Sequence, residues 1–437
     1  MNNNFSDRYF EVRSIKTLLL FILFLTPYYI RYEDSGVSVN YSFVLASLFL
    51  ATYYKCIRRP SNETIILVLS LFMLFMLFLI FGNETKFSVQ LRRLVSLVIF
   101  LSIFSFSIVR ITDEILLIFK ASIVLISVYL SIDSIHTYLS LVDNNLIGSA
   151  KGLVGSQRFG FIYLFAGAIV FGLNIKVNLG KTLQFLSFSV ILSGIFLTYN
   201  RLSFVGIIIV ILFLILSNFI SNNKNFGVYQ IKLAIASFLL TGFLFFNSIE
   251  FYKDRIVNYT INTINYVMAD NGTQKKHDQG VGTQKKHDQG VGTQKKHDQD
   301  VNSKGFIFNT TNEKSSLGYR VNLWNDVYDY MFIDFNILTG SGFLGVWSMD
   351  SKYGSTHSQY IDVFYRVGVI FFIWYLMITL RIFFYLFKMD KTLFAGFLAV
   401  AVYGIFHETY KLSHGAFVFS FLYAFSQDYR IFKKSPN

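Results

Sequence analysis

The chain has 437 residues, 53% of them hydrophobic, and its 15% of charged residues fall well below the roughly 25% of an ordinary soluble domain. That balance excludes a soluble globular fold, and the apolar runs are continuous rather than alternating, which argues against a β-barrel. The formal net charge of +13 sits mostly in short connections between apolar runs, so it reflects topology and not affinity for nucleic acid.

A helix crosses a hydrocarbon core in roughly 20 apolar residues, and lipid leaves no partner for an open backbone group, so each long run reads as a helical span. Hydropathy places about twelve spans, near 14–31, 38–57, 64–82, 94–110, 115–132, 159–175, 183–200, 202–220, 230–250, 361–387, 392–408 and 412–427. The predicted class is an all-α polytopic integral membrane protein. Residues 1–250 hold nine spans, 251–360 form one large periplasmic loop, and 361–437 hold three spans and a cytoplasmic tail. Thr26-Pro27-Tyr28-Tyr29 after the first run is not a small-residue cleavage site, so that run is read as retained.

Orientation follows the Lys/Arg bias. With the N-terminus inside, the inner connections collect Arg8, Arg13, Lys55, Arg58, Arg59, Arg110, Lys176, Lys181, Lys224, Arg381, Lys388, Lys391, Arg430, Lys433 and Lys434. Both termini are then cytoplasmic. Cys56, the one cysteine, permits no intramolecular disulfide and no cysteine-based metal site.

Within the large loop, 272–301 is a decamer repeat, GTQKKHDQGV twice and then GTQKKHDQDV. His277, His287 and His297 recur ten residues apart, far from the His-x₃₋₅-His spacing of zinc sites. With no apolar face to pack, the segment reads as a solvated spacer. Beyond it, Ser315 or Ser316 can cap a helix in which Arg320 and Trp324 share a face, lying along the outer membrane surface. Gly340-Ser341-Gly342 then makes a turn.

Cations at outer helix ends carry the chemistry, because short outer loops are ordinarily poor in Arg. Arg92, Arg93, Arg158, Arg201 and Arg366 occupy such positions, and a guanidinium fork suits a lipid-linked diphosphate. Arg201 stands between two apolar spans with almost no loop, where it needs an anionic partner. Arg366 has Asp362 four residues before it and is expected to pair with it. His357 opens the span after the turn, and an imidazole at the water boundary can take a proton from a sugar hydroxyl. His407, Glu408, Lys411 and His414 make a second outer group. No Walker loop or dinucleotide fingerprint is present, no outer Asp pair is set for Mg²⁺, and no cofactor is expected.

Three local motifs, with the span layout, resemble the O-antigen polymerase and O-antigen ligase superfamily. Tyr199-Asn200-Arg201-Leu202-Ser203 is similar to its Ser-Arg-Gly segment. Gly318-Tyr319-Arg320 through Trp324, then Gly340-Ser341-Gly342, resembles its Arg…Trp…Gly-x-Gly loop. His357-Ser358-Gln359-Tyr360, with Gly368 downstream, resembles its His-Asn-x-Tyr-Leu segment. Asn200, Leu202, Ser358 and Arg366 depart from the residues usual there. The resemblance implies a metal-independent glycosyltransferase in the bacterial inner membrane that uses polyprenyl-diphosphate-linked oligosaccharide. By position, Arg201 and Arg320 would hold the diphosphate, with Arg158, Arg92 and Arg93 as further binding candidates, and His357 would activate the acceptor hydroxyl. The activity expected is polymerisation of surface polysaccharide (O-antigen, capsule or exopolysaccharide), with a chain-length regulator and a flippase as partners. A ligase shares the donor chemistry. A lipid-linked oligosaccharide flippase also needs about twelve spans and a cationic cavity, but not a surface helix with a boundary histidine.

Overall fold

A computed structural model describes residues 3–25, 29–32, 37–40, 52–53, 57–81, 87–102, 104–143, 160–197, 201–245, 316–333, 336–349, 356–409 and 413–434. The decamer repeat, Arg158, Cys56 and Lys411 lie outside them. In chain order the helices are α1 (Asn3–Leu25), α2 (Asn62–Phe81), α3 (Phe87–Ser102), α4 (Asp113–Asp143), α5 (Gly160–Phe171), α6 (Asn178–Leu197), α7 (Arg201–Ile220), α8 (Lys224–Leu244), α9 (Ser316–Phe332), α10 (Gln359–Met389), α11 (Lys391–Tyr403) and α12 (Ser413–Lys434). Among the described residues the strands are a single antiparallel pair, β1 (Tyr29–Tyr32) and β2 (Val37–Asn40).

Among the described residues, six helices are long and apolar enough to cross a membrane: α2, α4, α6, α7, α8 and α10. Shorter apolar helices cover Ser14–Leu25, Gly160–Phe171, Lys391–Tyr403 and Gly415–Gln427. The first predicted span needs correction, because the helix stops at Leu25 and a strand occupies Tyr29–Tyr32; the second, 38–57, begins on the strand Val37–Asn40 and otherwise lies mostly outside the described residues. The fourth also ends early. After Ser102 the chain tightens into a 3₁₀ turn at Ser105–Ile108, and the Arg58 amide donates to the Ile108 carbonyl at 2.8 Å. Those carbonyls find partners outside a helix, so no longer helix is needed to satisfy them.

Every residue of α5 is buried. A helix apolar on all sides belongs in the middle of a bundle, and α5 packs against α4, α6, α7 and α11. Aromatic rings fill the neighbouring seam, where Phe24 stacks on Phe417 at 4.4 Å and Phe119 on Phe421 at 3.9 Å. Between helices in lipid, van der Waals packing of this kind replaces the hydrophobic drive.

The helix ends sort into two faces. On one, Glu63 pairs with Arg381 at 2.7 Å and Lys120 with Asp390, while Lys391 donates to the Ser221 hydroxyl. The sequence assigns this set to the inner side. The other face gathers α9, the 336–349 loop, the start of α10 and the 404–409 segment.

At that second face α10 breaks. Gly368 has φ 72° and ψ −179°, a region essentially closed to residues with a side chain. The 336–349 loop takes up the bonds that the break releases. The Ser341 amide donates to the Tyr365 carbonyl at 2.7 Å, the Phe343 amide to Arg366 at 2.9 Å, and the Val369 amide to Ile337 at 2.7 Å. Gly340, at φ 65°, fits under the break because a Cβ there would lie 2.6 Å from the Tyr365 carbonyl oxygen. A Cβ on Gly368 would lie 2.2 Å from the Leu338 carbonyl oxygen. Gly368→Ala is therefore expected to cost about 1–3 kcal/mol from backbone strain alone, with the clash added. Thermal unfolding of the purified variant in detergent checks it, and an unchanged midpoint would refute this account of the break.

Candidate active site

The site is built from α9, the turn before α10 and the segment after α11. As the spacing predicts, Arg320 and Trp324 share a face of α9. Trp324 donates its indole N–H to the Thr356 carbonyl at 2.8 Å, and its ring lies 6.2 Å from Phe406. One residue on, His357 is half-buried and held at φ 54°. A left-handed backbone at a residue other than glycine costs energy and persists only where the surroundings impose it. The surroundings here are a short polar knot. The Thr356 hydroxyl accepts from the Ser358 amide at 3.3 Å and stands 2.9 Å from Glu408 Oε1.

The same turn is tied to the 404–409 segment. The Gln359 amide donates to the Gly404 carbonyl at 2.8 Å, Thr409 donates its hydroxyl to Gln359 Oε1, and the Gln359 side-chain amide donates to Tyr375. These ties carry His407 and Glu408 to the turn. His407 stacks on the buried Tyr403 ring at 4.5 Å. Burial, then the charges of Arg320 and of His357, push its pKa down from 6.5 to about 4, against the opposite pull of Glu408. His407 is thus neutral at ordinary pH. Arg320, His357 and Glu408 all lie within electrostatic reach of this one imidazole.

The structure brings Arg320, His357, His407 and Glu408 together. Arg201 is the first residue of α7, and its side chain is not among those described. Two residues on, the Ser203 hydroxyl approaches Gly160 so closely that a Cβ there would lie 2.4 Å from it and 2.6 Å from the Tyr403 hydroxyl. The start of α7 therefore sits beside the residue on which His407 stacks. Arg93 lies elsewhere. It is buried on α3, donates to the Phe78 carbonyl at 3.0 Å and covers the Phe78 ring at 5.4 Å. Arg92 is exposed on the same helix. His414 lies at the start of α12 with no side chain described.

Arg366 pairs with Asp362 at 2.8 Å, as the i,i+4 spacing predicts, and donates to the Ser96 hydroxyl at 2.7 Å and the Phe343 carbonyl at 3.1 Å. It joins α10 to α3 and to the loop, which removes it from the ligand candidates. The sequence did not reveal Thr356, Gln359 or Thr409 as members of the site. Their polarity beside an apolar run was the available signal, but their partners lie about fifty residues away in the chain, as with Thr356 and Glu408 (52 apart).

Residues 186–376 match the family model described as O-antigen ligase. No curated protein and no solved structure matches the chain.

Proposed function

From the O-antigen polymerase and ligase superfamily domain at residues 186–376, we propose that this multi-pass bacterial membrane protein polymerises surface polysaccharide from lipid-linked units. The observation that carries the reading is the convergence of Arg320, His357, His407 and Glu408 at one end of the bundle. In the proposed reaction a hydroxyl oxygen of the acceptor sugar, on its own lipid carrier, attacks the anomeric carbon of the donor glycan. The new glycosidic C–O bond forms as the bond to the polyprenyl diphosphate breaks, and the electron pair leaves with the diphosphate. His357 takes the hydroxyl proton. Fixed guanidinium groups are suited to the charge that grows on the leaving oxygen, and Arg320 fits that role, with Arg201 at the neighbouring helix start.

Neutral His407 serves this arrangement in a particular way. A protonated imidazole beside His357 would repel the proton that His357 must gain. Glu408, anchored near Thr356, would instead favour it. The bacterial inner membrane is the location proposed, with the site and the 251–360 loop on the periplasmic side and both termini cytoplasmic. The proposal extends to a chain-length regulator and a flippase as working partners. Arg92 and Arg158 remain proposed contacts along the path of the anionic lipid.

Deletion of the gene, followed by gel analysis of surface glycan, tests the reading. Polymerase activity requires that the ladder disappear while a single repeat unit stays on the acceptor. The family description favours a second reading, a ligase that moves finished glycan to a lipid core. In that case all glycan leaves the core and lipid-linked polymer accumulates. An unaltered glycan profile would refute both.

A further inference from the structure

A separate cavity of about 550 Å³ opens between α3, α9, the 336–349 loop and α10. Arg93, Asp326, Asp329, Tyr330, Ser348 and Tyr365 are among its walls. Around α9, Asp329 stands nine residues from Arg320, which at 100° per residue puts it on the opposite side of the helix and about 13 Å further along. The cavity is thus neither the His357 group nor within one monosaccharide's reach of a diphosphate held by Arg320.

We infer that this cavity is a carbohydrate subsite, which grips an interior sugar of the glycan that is uncharged or carries an amine. The inference rests on the polymerase reading for the identity of the glycan. Three features of the walls support it. Asp326 and Asp329 lie three apart on one helix and share a face, and two carboxylates accept hydrogen bonds from the vicinal hydroxyls of a sugar ring. Tyr330 and Tyr365 lie 5.1 Å apart at 53°, and the Tyr365 hydroxyl is fixed to Ser348 at 3.1 Å. Tyr365 is buried and backs the half-buried Tyr330, whose ring is the one that can receive the C–H face of a pyranose. Arg93 is buried, so the walls set two carboxylates against one guanidinium. That balance repels a diphosphate or a uronic acid and tolerates a neutral or amino sugar. A grip behind the reacting end is suited to keeping a growing chain on the enzyme, so it governs chain length more than the rate of a single transfer.

The test uses the full-length protein in detergent and the phosphate-free oligosaccharide released by mild acid from the cell's own lipid-linked repeat. Saturation-transfer NMR should detect binding to the wild type. An Asp326→Asn/Asp329→Asn double variant should weaken it at least tenfold, and in cells should shorten the glycan ladder without abolishing it. Tyr330→Ala is an independent variant with the same expectation. Arg320→Ala should leave binding of this phosphate-free probe unchanged. Equal binding by wild type and both cavity variants would overturn the subsite, as would no binding to the wild type. Tight binding of an oligoglucuronate at the same place would overturn its charge preference. If the polymerase reading alone fails, the probe still binds and the cavity variants still weaken it, yet no variant alters a ladder.

Discussion

His357→Ala is expected to lower polymerisation of lipid-linked repeats by about 10²–10⁴-fold while the protein inserts and accumulates normally, the range for loss of a general base. The expectation follows from where the residue sits. His357 occupies a strained left-handed position in a turn pinned on both sides, by Trp324 to Thr356 and by Gln359 to Gly404. Glycine would fit the turn more cheaply, and asparagine accepts the left-handed region as histidine does. His357→Asn therefore separates two roles. It keeps the left-handed backbone but cannot accept a proton at neutral pH, so it should be as inactive as alanine. Activity of either purified variant near the wild-type rate would remove His357 as the base, and Glu408 would be the next residue to substitute.

Arg320→Ala is expected to cost about 10²–10³ in rate, the usual loss on removing one fixed electrostatic donor. Arg320→Lys should recover only part of it, since an ammonium is a point charge without the guanidinium fork. A structural role predicts a different result. Were Arg320 needed only to seat α9, lysine would restore activity together with stability, because Trp324 already anchors the helix to Thr356. The deciding measurement is single-turnover transfer at saturating acceptor, with melting temperature recorded beside it. Full recovery by lysine would count against diphosphate binding. His407 adds a second readout. Its pKa is held near 4 partly by the Arg320 charge, so removal of that charge should raise it, visibly in the imidazole resonances between pH 4 and 6.5.

Much of this was legible in the sequence, and the reason differs from element to element. The apolar runs gave α7 and α10 with small boundary errors, because length and hydrophobicity alone define a span, whereas α4 runs eleven residues past the predicted end at 132. The i,i+4 rule paired Arg366 with Asp362 and set Arg320 beside Trp324, since helix geometry is local. Hydropathy overran the ends of α1 and α3, because apolar residues continue beyond them although a strand occupies Tyr29–Tyr32 and a 3₁₀ turn Ser105–Ile108. The group of Arg320, His357 and His407 was visible as separate candidates only. Their meeting depends on Trp324, Gln359 and Thr409 closing distances in the chain that no spacing rule reaches. The Asp326–Asp329 cavity is beyond spacing rules for the same reason, as its opposite wall comes from α3.

The break at Gly368 has a bearing on the order in which the protein assembles. Its bonds to the 336–349 loop join residues about twenty-three or more positions apart, such as Arg366 to Phe343, whereas Arg366 to Ser96 closes a separation of 270. Short loops close at less entropic cost than long ones, and contacts near in sequence form sooner. The stretch from α9 through the first turns of α10 can therefore mature as a small nucleus of its own. Its seating on α3 comes later and is reported by a single guanidinium that reaches back across most of the chain. On that schedule Arg320 and His357 meet early, because both belong to that stretch, and the group is completed only when the 404–409 segment brings His407 and Glu408 to the turn.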